Sequence, residues 1–314
     1  MARWQHEQWN GWTDAWVAEH PFLEAVVVPS IGRLMHLSLC GQPSVLWVNE
    51  AWVGRVADPH ILDWMNFGGE KAWPAPMQNW CSDFGRTWPP PVALDAEPWT
   101  SHIEHDHAVL VIRSKPDPQT SLTVERRFEL ANDAAAIRVD SSFRMDRGEL
   151  QTSLWTICQV PDGTIFAAPE SRGFLRSRVV RLAPDPLHRE RHSAGLLTVT
   201  RNPTHQFKIG FRGQSLVWMG RDQVLQVNTT PDVDLAARFP DKGSSLEVYS
   251  SPDPLAYLEL ETLGPLQRLA APQSMSARVV YTVRARQSSD DEHEARLLLG
   301  LMSGPTPTHV NTHR

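Results

Sequence analysis

Two glutamates near the end of the chain have the spacing of a paired carboxylate site. The segment 257–264 reads YLELETLG, and on a β-strand Glu259 and Glu261 share one face while Leu258 and Leu260 take the other. Two adjacent carboxylates on a buried face raise the pKa of one of them, because like charges oppose each other's ionisation. A carboxylate with a raised pKa is suited to act as a general base near neutral pH. The alternative is an exposed edge strand that carries two solvated glutamates.

A second group of charges lies in the aromatic and proline-rich segment 63–91. Glu70 and Lys71 follow a Gly-Gly pair and precede Trp73, within the sequence NFGGEKAWPAP. Proline lacks the backbone N–H and fixes φ, so this density of prolines predicts a long ordered loop rather than a helix or strand. Indoles beside a few fixed polar groups are typical of a small-molecule pocket, and a sugar would stack its C–H face on them. The alternative is an apolar plug beneath one end of a sheet.

Three further side chains are candidates to contact the same ligand. Trp155 and Gln159 share one strand face in SLWTICQV, where an ordinary core tryptophan is the alternative interpretation. Lys208 lies at the start of a predicted strand in HQFKIGF.

The segment SHIEHDH (101–107) carries three histidines, but only two of them are spaced to share a strand face. A hydrated hairpin is therefore favoured there over a metal site.

The composition and the charge exclude several classes of protein. With 314 residues, of which 41% are hydrophobic and 21% charged, the chain has the composition of a globular protein. A net charge of −6 argues against nucleic acid as the main partner. No apolar run is long enough to predict a membrane span, and the first residues lack the charged and apolar regions of a signal peptide. Three cysteines without CxxC spacing are typical of reduced thiols, so we expect a cytoplasmic protein.

Alternation with a period of two residues runs through most of the chain. In the segment 122–130, Leu122, Val124, Phe128 and Leu130 share one face, and Thr123, Glu125, Arg127 and Glu129 take the other. A dozen or more such runs, separated by turn sequences, predict an all-β fold built as a large antiparallel sandwich with few short helices. We expect a single domain over residues 1–286, followed by a C-terminal extension, 287–314, with a short helix and a loose tail.

Five motifs, in the same order, resemble the galactose-mutarotase-like superfamily. They are PSIGR (29–33), NFGGEKAWPAP (66–76), WTICQV (155–160), KIG (208–210) and YLELETLGPL (257–266). The resemblance is closest to a bacterial branch of the superfamily with FGGxKxWPAP and YxELExLxPL motifs, and it covers about residues 24 to 284. It implies a β-supersandwich whose concave face binds a carbohydrate.

The resemblance also implies roles for the candidate residues. In aldose mutarotases, a glutamate on a late strand takes the proton from the anomeric hydroxyl, and a histidine protonates the ring oxygen. Glu261 is the best match to that base, with Glu259 as its neighbour. Phe67 stands where the mutarotase loop has a histidine, and SLWTICQV lacks the second histidine. Lys71 could supply the acid only if burial lowered its pKa.

We therefore expect a carbohydrate-active protein related to aldose 1-epimerases, with Glu261, Glu259 and Lys71 as the catalytic residues. The residues expected to contact the substrate are Glu70, Trp73, Trp155, Gln159 and Lys208. The expected ligand is a small carbohydrate, with no metal, organic cofactor, nucleic acid or membrane involved, and a homodimer is a further expectation. The alternative function is a non-catalytic carbohydrate-binding or regulatory module that has lost the epimerase histidines. A lyase or hydrolase on the same scaffold would need opposed carboxylates or a tyrosine base, for which Tyr249 and Tyr257 are available.

Overall fold

The structure, a computed structural model, describes residues 2–58, 60, 63–105, 107–170, 179–183, 189–229 and 237–302. Within these residues the chain forms twenty-one β-strands and four short helices. The strands are β1 (Arg3–Trp9), β2 (Trp12–Glu19), β3 (Leu23–Val28), β4 (Arg33–Leu39), β5 (Glu70–Ala75), β6 (Thr100–Glu104), β7 (Val109–Arg113), β8 (Leu122–Leu130), β9 (Ala136–Met145), β10 (Glu149–Pro161), β11 (Thr164–Ala167), β12 (Val180–Ala183), β13 (Glu190–Ser193), β14 (Leu196–Thr200), β15 (Phe207–Phe211), β16 (Ser215–Met219), β17 (Gln223–Thr229), β18 (Leu246–Ser250), β19 (Tyr257–Leu263), β20 (Gln267–Ala270) and β21 (Ser274–Ala285). The helices are α1 (Trp80–Phe84), α2 (Val92–Asp95), α3 (Pro240–Gly243) and α4 (Asp291–Leu298), and 3-10 turns lie at Pro29–Ile31, Glu50–Trp52 and Met77–Asn79.

The strands form two large antiparallel sheets. The first sheet has the order β1-β2-β3-β4-β5-β10-β19-β18-β15-β12, and β20 pairs with the far end of β10. The second sheet has the order β13-β14-β11-β16-β17-β21-β9-β8-β7-β6. The prediction of an all-β antiparallel sandwich with few short helices is therefore confirmed.

The alternating side chains explain how the two sheets pack together. In β8, Val124 and Phe128 are fully buried, and they pair with Phe143 and Val139 of β9. These four side chains belong to one hydrophobic cluster that also includes Leu154 of the first sheet. The cluster fixes the register, because a slip of one residue would turn every apolar side chain toward the other face.

Strand β5 corrects the expectation of an uninterrupted loop between residues 63 and 91. It includes Pro74, which pairs with Leu154 of β10. On its other side β5 meets β4 only through the pair Leu34–Glu70. Pro74 therefore has a strand on one side only, which is the environment in which a sheet tolerates proline. The turn at Met77–Asn79 and helix α1 follow directly, so the segment is ordered structure for much of its length.

The N-terminal end of the described chain has an element that the sequence did not predict, and the C-terminal end has one that it did. Strands β1 and β2 form an N-terminal hairpin, in which Trp4 is fully buried and its indole N–H donates to the carbonyl oxygen of Phe128 over 3.1 Å. Helix α4 lies within the segment 287–314, where a short helix was expected, and Ala295 packs in a small cluster with Phe166 and Val217. The predicted loose tail, from residue 303 onward, lies outside the described residues. The division into one domain and an extension stays a prediction.

None of the described helices has both the length and the apolar character needed to span a membrane.

Candidate functional site

The strand register places the predicted catalytic residues on one face of the first sheet. Ile157 of β10 pairs with Lys71 of β5 on one side and with Glu261 of β19 on the other. Directly opposed residues in antiparallel strands point to the same face. The neighbouring pairs extend that face across five strands. We call this surface the charged face; its polar and aromatic members are Lys71, Trp73, Trp155, Gln159, Lys208, Glu247, Tyr249, Glu259 and Glu261.

The two glutamates of YLELETLG lie in the interior of the sheet. Strand β19 has β10 on one side and β18 on the other, so the alternative of an exposed edge strand is wrong. Glu261 is fully buried, and Glu259 has only 9% of its surface exposed. Glu259 accepts a hydrogen bond from Gln159 Nε2 at 2.8 Å. The carboxylates thus occupy the buried position that base chemistry would require.

Glu261 is fixed through one of its two carboxylate oxygens. Its Oε2 accepts from the indole N–H of Trp155 at 2.5 Å and from Lys208 Nζ at 2.8 Å. Lys208 Nζ also lies 2.7 Å from a carboxylate oxygen of Glu247, so one ammonium serves two buried carboxylates. Burial raises the pKa of Glu261 to about 7, with Lys208 opposing the rise and Glu259 adding to it. A carboxyl with this pKa exchanges its proton readily near neutral pH.

Burial shifts the pKa values of Glu247 and Lys208 in opposite directions. Burial raises the pKa of the Glu247 carboxyl well above its usual value, although Lys208 counteracts it. Burial alone would lower the pKa of Lys208, but the Glu261 and Glu247 carboxylates outweigh it and raise the pKa. Lys208 therefore stays an ammonium, and it also lies 4.5 Å from the ring centre of Trp155.

Lys71 has a different environment from Lys208. Its Nζ lies 4.9 Å from the ring centre of Trp73 and 5.3 Å from that of Trp64, and the residue has 2% of its surface exposed. The carboxylate of Glu259 is 3.8 Å away, beyond hydrogen-bonding distance. Burial lowers the pKa of Lys71 to about 8, with Glu259 opposing the fall and Arg33 adding to it. Lys71 can therefore lose or regain a proton close to neutral pH.

Several polar atoms on the charged face have no hydrogen-bond partner within the described part of the chain. They are Lys71 Nζ, Gln159 Oε1, Glu261 Oε1 and both carboxylate oxygens of Glu247, one of which has the ion pair with Lys208. A buried donor or acceptor without a partner costs about 1–3 kcal/mol. The summed penalty of four such side chains is a large fraction of the free energy of unfolding of a domain, which is about 5–15 kcal/mol. Their grouping makes the charged face the candidate site.

Asp95, at the end of helix α2, supports the aromatic wall beside Lys71. Its carboxylate accepts from the indole N–H groups of Trp64 at 2.8 Å and Trp73 at 3.0 Å, and from Arg33 Nη2 at 2.7 Å. Because Asp95 is buried, these three donors hold both of its oxygens in place. Asp95 and Arg33 were not predicted as site residues, because no local sequence pattern links them to Lys71.

The structure corrects the predicted substrate contact through Glu70. Adjacent residues of a strand point to opposite faces, so Glu70 of β5 points toward the second sheet while Lys71 lies on the charged face. Glu70 is fully buried there, accepts from Arg126 Nη2 through both oxygens, and accepts from Tyr281 Oη at 3.0 Å. Its carboxylate therefore joins the two sheets and is separated from the other candidates.

The tryptophans of the predicted pocket wall form a packed cluster around Lys71. Trp73 makes edge contacts with Trp155, Trp64 and Trp80 at ring-centre distances of 5.5–5.8 Å. Trp73 and Trp155 are both on the charged face, and less than a tenth of each is exposed. Trp88, stacked on Trp80, is 46% exposed. The segment thus has features of both alternatives: its indoles pack as a plug, and they also wall the charged face.

Two members of the charged face were not selected as site residues from the sequence. Glu247 pairs with Glu261 across β18 and β19, and Tyr249 pairs with both Glu259 and Lys208. The alternation in LEVYS was a sufficient signal that these two residues share a face, but not which neighbours they meet. Among the described residues no group of histidine, cysteine and carboxylate side chains could hold a metal ion, which includes the described part of the histidine-rich segment 101–107.

Solved structures of several bacterial proteins share this fold. A candidate aldose 1-epimerase from Klebsiella pneumoniae has a TM-score of 0.61 at 10% identity, over 95% of this chain and 86% of that one. A galactose mutarotase-like protein from Lactobacillus casei has a TM-score of 0.56 at 10% identity, over 85% and 99%. A galactose mutarotase related enzyme from Lactobacillus acidophilus has a TM-score of 0.55 at 9% identity, over 88% and 98%. At these identities the likeness shows the fold, and the predicted galactose-mutarotase-like fold is confirmed.

A family model described as Domain of unknown function (DUF4380) matches residues 17–284, which include every strand from β3 to β20 and every residue of the charged face. No curated protein matches the chain.

Proposed function

The chain belongs to the DUF4380 family, and from its fold and the geometry of the charged face we propose that it is a carbohydrate-active enzyme that interconverts the anomers of an aldose. The observation that carries the proposal is the pairing of two proton-exchanging groups on one buried face. Glu261 has a pKa of about 7 and Lys71 a pKa of about 8. Both Glu261 Oε1 and Lys71 Nζ lack a partner among the described residues.

Glu261 is the proposed general base. Trp155 and Lys208 engage Oε2, which leaves Oε1 to accept the proton of the anomeric hydroxyl. As that proton leaves, charge develops on the anomeric oxygen, and the bond from C1 to the ring oxygen breaks. The neighbouring Lys208 ammonium keeps the carboxylate oriented through the step.

Lys71 is the proposed general acid in place of the two mutarotase histidines. Its ammonium would donate a proton to the ring oxygen as the ring opens. After rotation about the C1–C2 bond the two groups exchange roles, so that Lys71 takes the proton back and Glu261 returns its own. Because each group regains its starting state, the cycle needs no other reactant.

Binding of the sugar is proposed to use the remaining polar atoms of the same face. Gln159 Oε1 and Glu247 Oε1 would accept from sugar hydroxyls. Glu259 holds Gln159 in position through Nε2, and Lys208 holds Glu247 through Oε2. The edges of Trp73 and Trp155 would limit the size of the ring that fits between them.

A non-catalytic carbohydrate-binding module is the second candidate. The observation that favours it is that the charged face includes no histidine among the described residues, and that Phe67 stands before the Gly-Gly pair where the mutarotase loop has one. The two functions separate in a polarimetric assay, in which a freshly dissolved aldose relaxes to its anomeric equilibrium. The enzyme would accelerate the relaxation of at least one aldose at catalytic concentration, whereas a binding module would leave the rate unchanged.

The pH dependence of that relaxation tests the assignment of base and acid. Glu261 must be ionised, so the rate should rise as the pH passes about 7, and Lys71 must be protonated, so the rate should fall above about 8. We expect a narrow bell-shaped profile. The Trp155 hydrogen bond lowers the pKa of Glu261, so Trp155→Phe should move the acid limb to higher pH and leave the alkaline limb in place. A shift of the alkaline limb alone would contradict these roles.

A further inference from the structure

We propose that the Lys71 amine forms a covalent imine with the aldehyde carbon of an open-chain sugar bound at the charged face. This inference rests on the proposed function, because ring opening is the step that produces the aldehyde. It goes beyond that function by giving Lys71 a bond to the substrate in addition to a proton transfer.

The first observation is that this cation of the charged face is a lysine, in a chain where lysines are rare. The chain contains 26 arginines but only four lysines, and two of the four lysines, Lys71 and Lys208, lie on the charged face. An arginine would serve equally as a fixed buried cation, and Arg33 and Arg126 do so close by. Only a lysine can give up its proton and attack a carbonyl carbon in this pH range. Lysine is therefore rare in this chain, and half of its lysines lie on the charged face, where a nucleophilic amine would meet the substrate.

The second observation is the contrast between the two lysines. Lys208 has carboxylate oxygens at 2.7 and 2.8 Å, which hold it as an ammonium. Lys71 has no hydrogen-bond acceptor among the described residues, and its nearest carboxylate, Glu259, is 3.8 Å away. Indole faces border its Nζ, and water reaches only 2% of the residue. A lysine desolvated in this way is the usual form of a nucleophilic amine, and burial lowers its pKa to about 8 accordingly.

The proton transfers of the proposed function would also put Lys71 in its reactive form at the right moment. Once Lys71 has given its proton to the ring oxygen, it is a neutral amine with a free electron pair. At that moment C1 has become an aldehyde carbon beside it. The nitrogen is therefore in its reactive form at the point in the cycle when an electrophile appears.

The covalent step balances without any further reagent. Lys71 Nζ adds to C1, the carbonyl π electrons move to the oxygen, and that oxygen takes up a proton to give a carbinolamine. Glu259, whose carboxylate lies 3.8 Å from Nζ, is too far to accept this proton directly and would relay it to the oxygen through a water. The proton that Glu261 took from the anomeric hydroxyl then returns to the carbinolamine hydroxyl, which leaves as water while the nitrogen electron pair forms the C=N bond. Amine, aldehyde and one proton thus give a protonated imine and one water, and hydrolysis reverses the step.

Reductive trapping tests the inference. The full-length protein is incubated at pH 7 with glycolaldehyde, the smallest hydroxyaldehyde, and sodium cyanoborohydride, whose hydride converts an imine C=N bond to a stable C–N bond. Peptide mapping then locates each added hydroxyethyl group. The exposed residues Lys115 and Lys242 are internal standards for surface amines. We expect labelling of Lys71 at least about tenfold faster than of either standard, since a larger fraction of its amine is neutral, and no label on Lys208.

The matched control is Lys71→Arg, which keeps the cation and removes the nucleophile. It should abolish the fast adduct and leave the labelling of Lys115 and Lys242 unchanged. Labelling of Lys71 no faster than of the surface lysines, or preferential labelling of Lys208, would overturn the inference. If the wild type accelerates anomer exchange but gives no Lys71 adduct, the imine is wrong and the proposed function stands. A Lys71 adduct without anomer exchange would support the imine and count against the epimerase.

Discussion

Glu261→Gln is expected to slow anomer exchange by about 100- to 10,000-fold, the range that a positioned general base contributes. The amide oxygen of glutamine can still accept from Trp155 and Lys208, so the side chain keeps its position while losing the ability to take a proton. Sugar binding should be largely retained. The rate is measured by exchange NMR on the aldose that the wild-type protein converts fastest, and binding by saturation transfer on the same sample.

Glu149→Gln is the matched control for this prediction. Glu149 has a side chain about half exposed and an ion pair with Arg268 at the far end of β10, so the same chemical change there should leave both rate and binding unaffected. Equal losses of rate and binding in Glu261→Gln would assign Glu261 a role as ligand only. A rate within threefold of wild type, roughly the scatter expected of a surface change, would remove it from the mechanism.

Arg126→Met is expected to lower the free energy of unfolding by about 3–5 kcal/mol, because it leaves the Glu70 carboxylate buried without its cation. Arg126 is fully buried, donates to both oxygens of Glu70 and to Ser141 Oγ, and so connects the second sheet to β5 of the first. Urea unfolding followed by tryptophan fluorescence measures the change.

The matched control is Arg268→Met, which breaks the exposed pair with Glu149. A surface ion pair contributes at most about 1 kcal/mol, so this variant should stay within that range. The double variant Glu70→Gln/Arg126→Met should recover part of the loss, since it removes the uncompensated charge. If Arg126→Met and Arg268→Met were equally mild, the Glu70–Arg126 pair would not hold the sheets together.

Much of the fold could be predicted from the sequence because burial on one face imposes a period of two. The segment 122–130 forms β8 as predicted, although the charged Arg126 lies on the buried face beside Val124 and Phe128. The N-terminal hairpin was missed because Arg3–Trp9 buries only Trp4 fully and has no clear alternation. β5 was missed because its prolines argued against a strand, and only the tertiary arrangement reveals that β4 leaves most of that side free.

The composition of the charged face was predictable only within single strands. Glu259 and Glu261 share a face by spacing alone, and so do Trp155 and Gln159. Glu70 was grouped with Lys71 because the two are adjacent in sequence, yet adjacency on a strand is what separates them. The partners of Lys208 could not be predicted, since Glu247 and Glu261 reach it through strand pairings that join distant parts of the chain.

One NMR experiment tests most directly whether the charged face catalyses anomer exchange. Proton spectra of a panel of aldoses and uronic acids, with and without the protein, record saturation transfer and anomer exchange together. We predict saturation transfer and faster exchange for at least one aldose, with the rate highest between pH 7 and 8, as the pKa values of about 7 and about 8 require. Saturation transfer without faster exchange would contradict catalysis and establish a binding module, and the absence of both across the panel would contradict the sugar site itself.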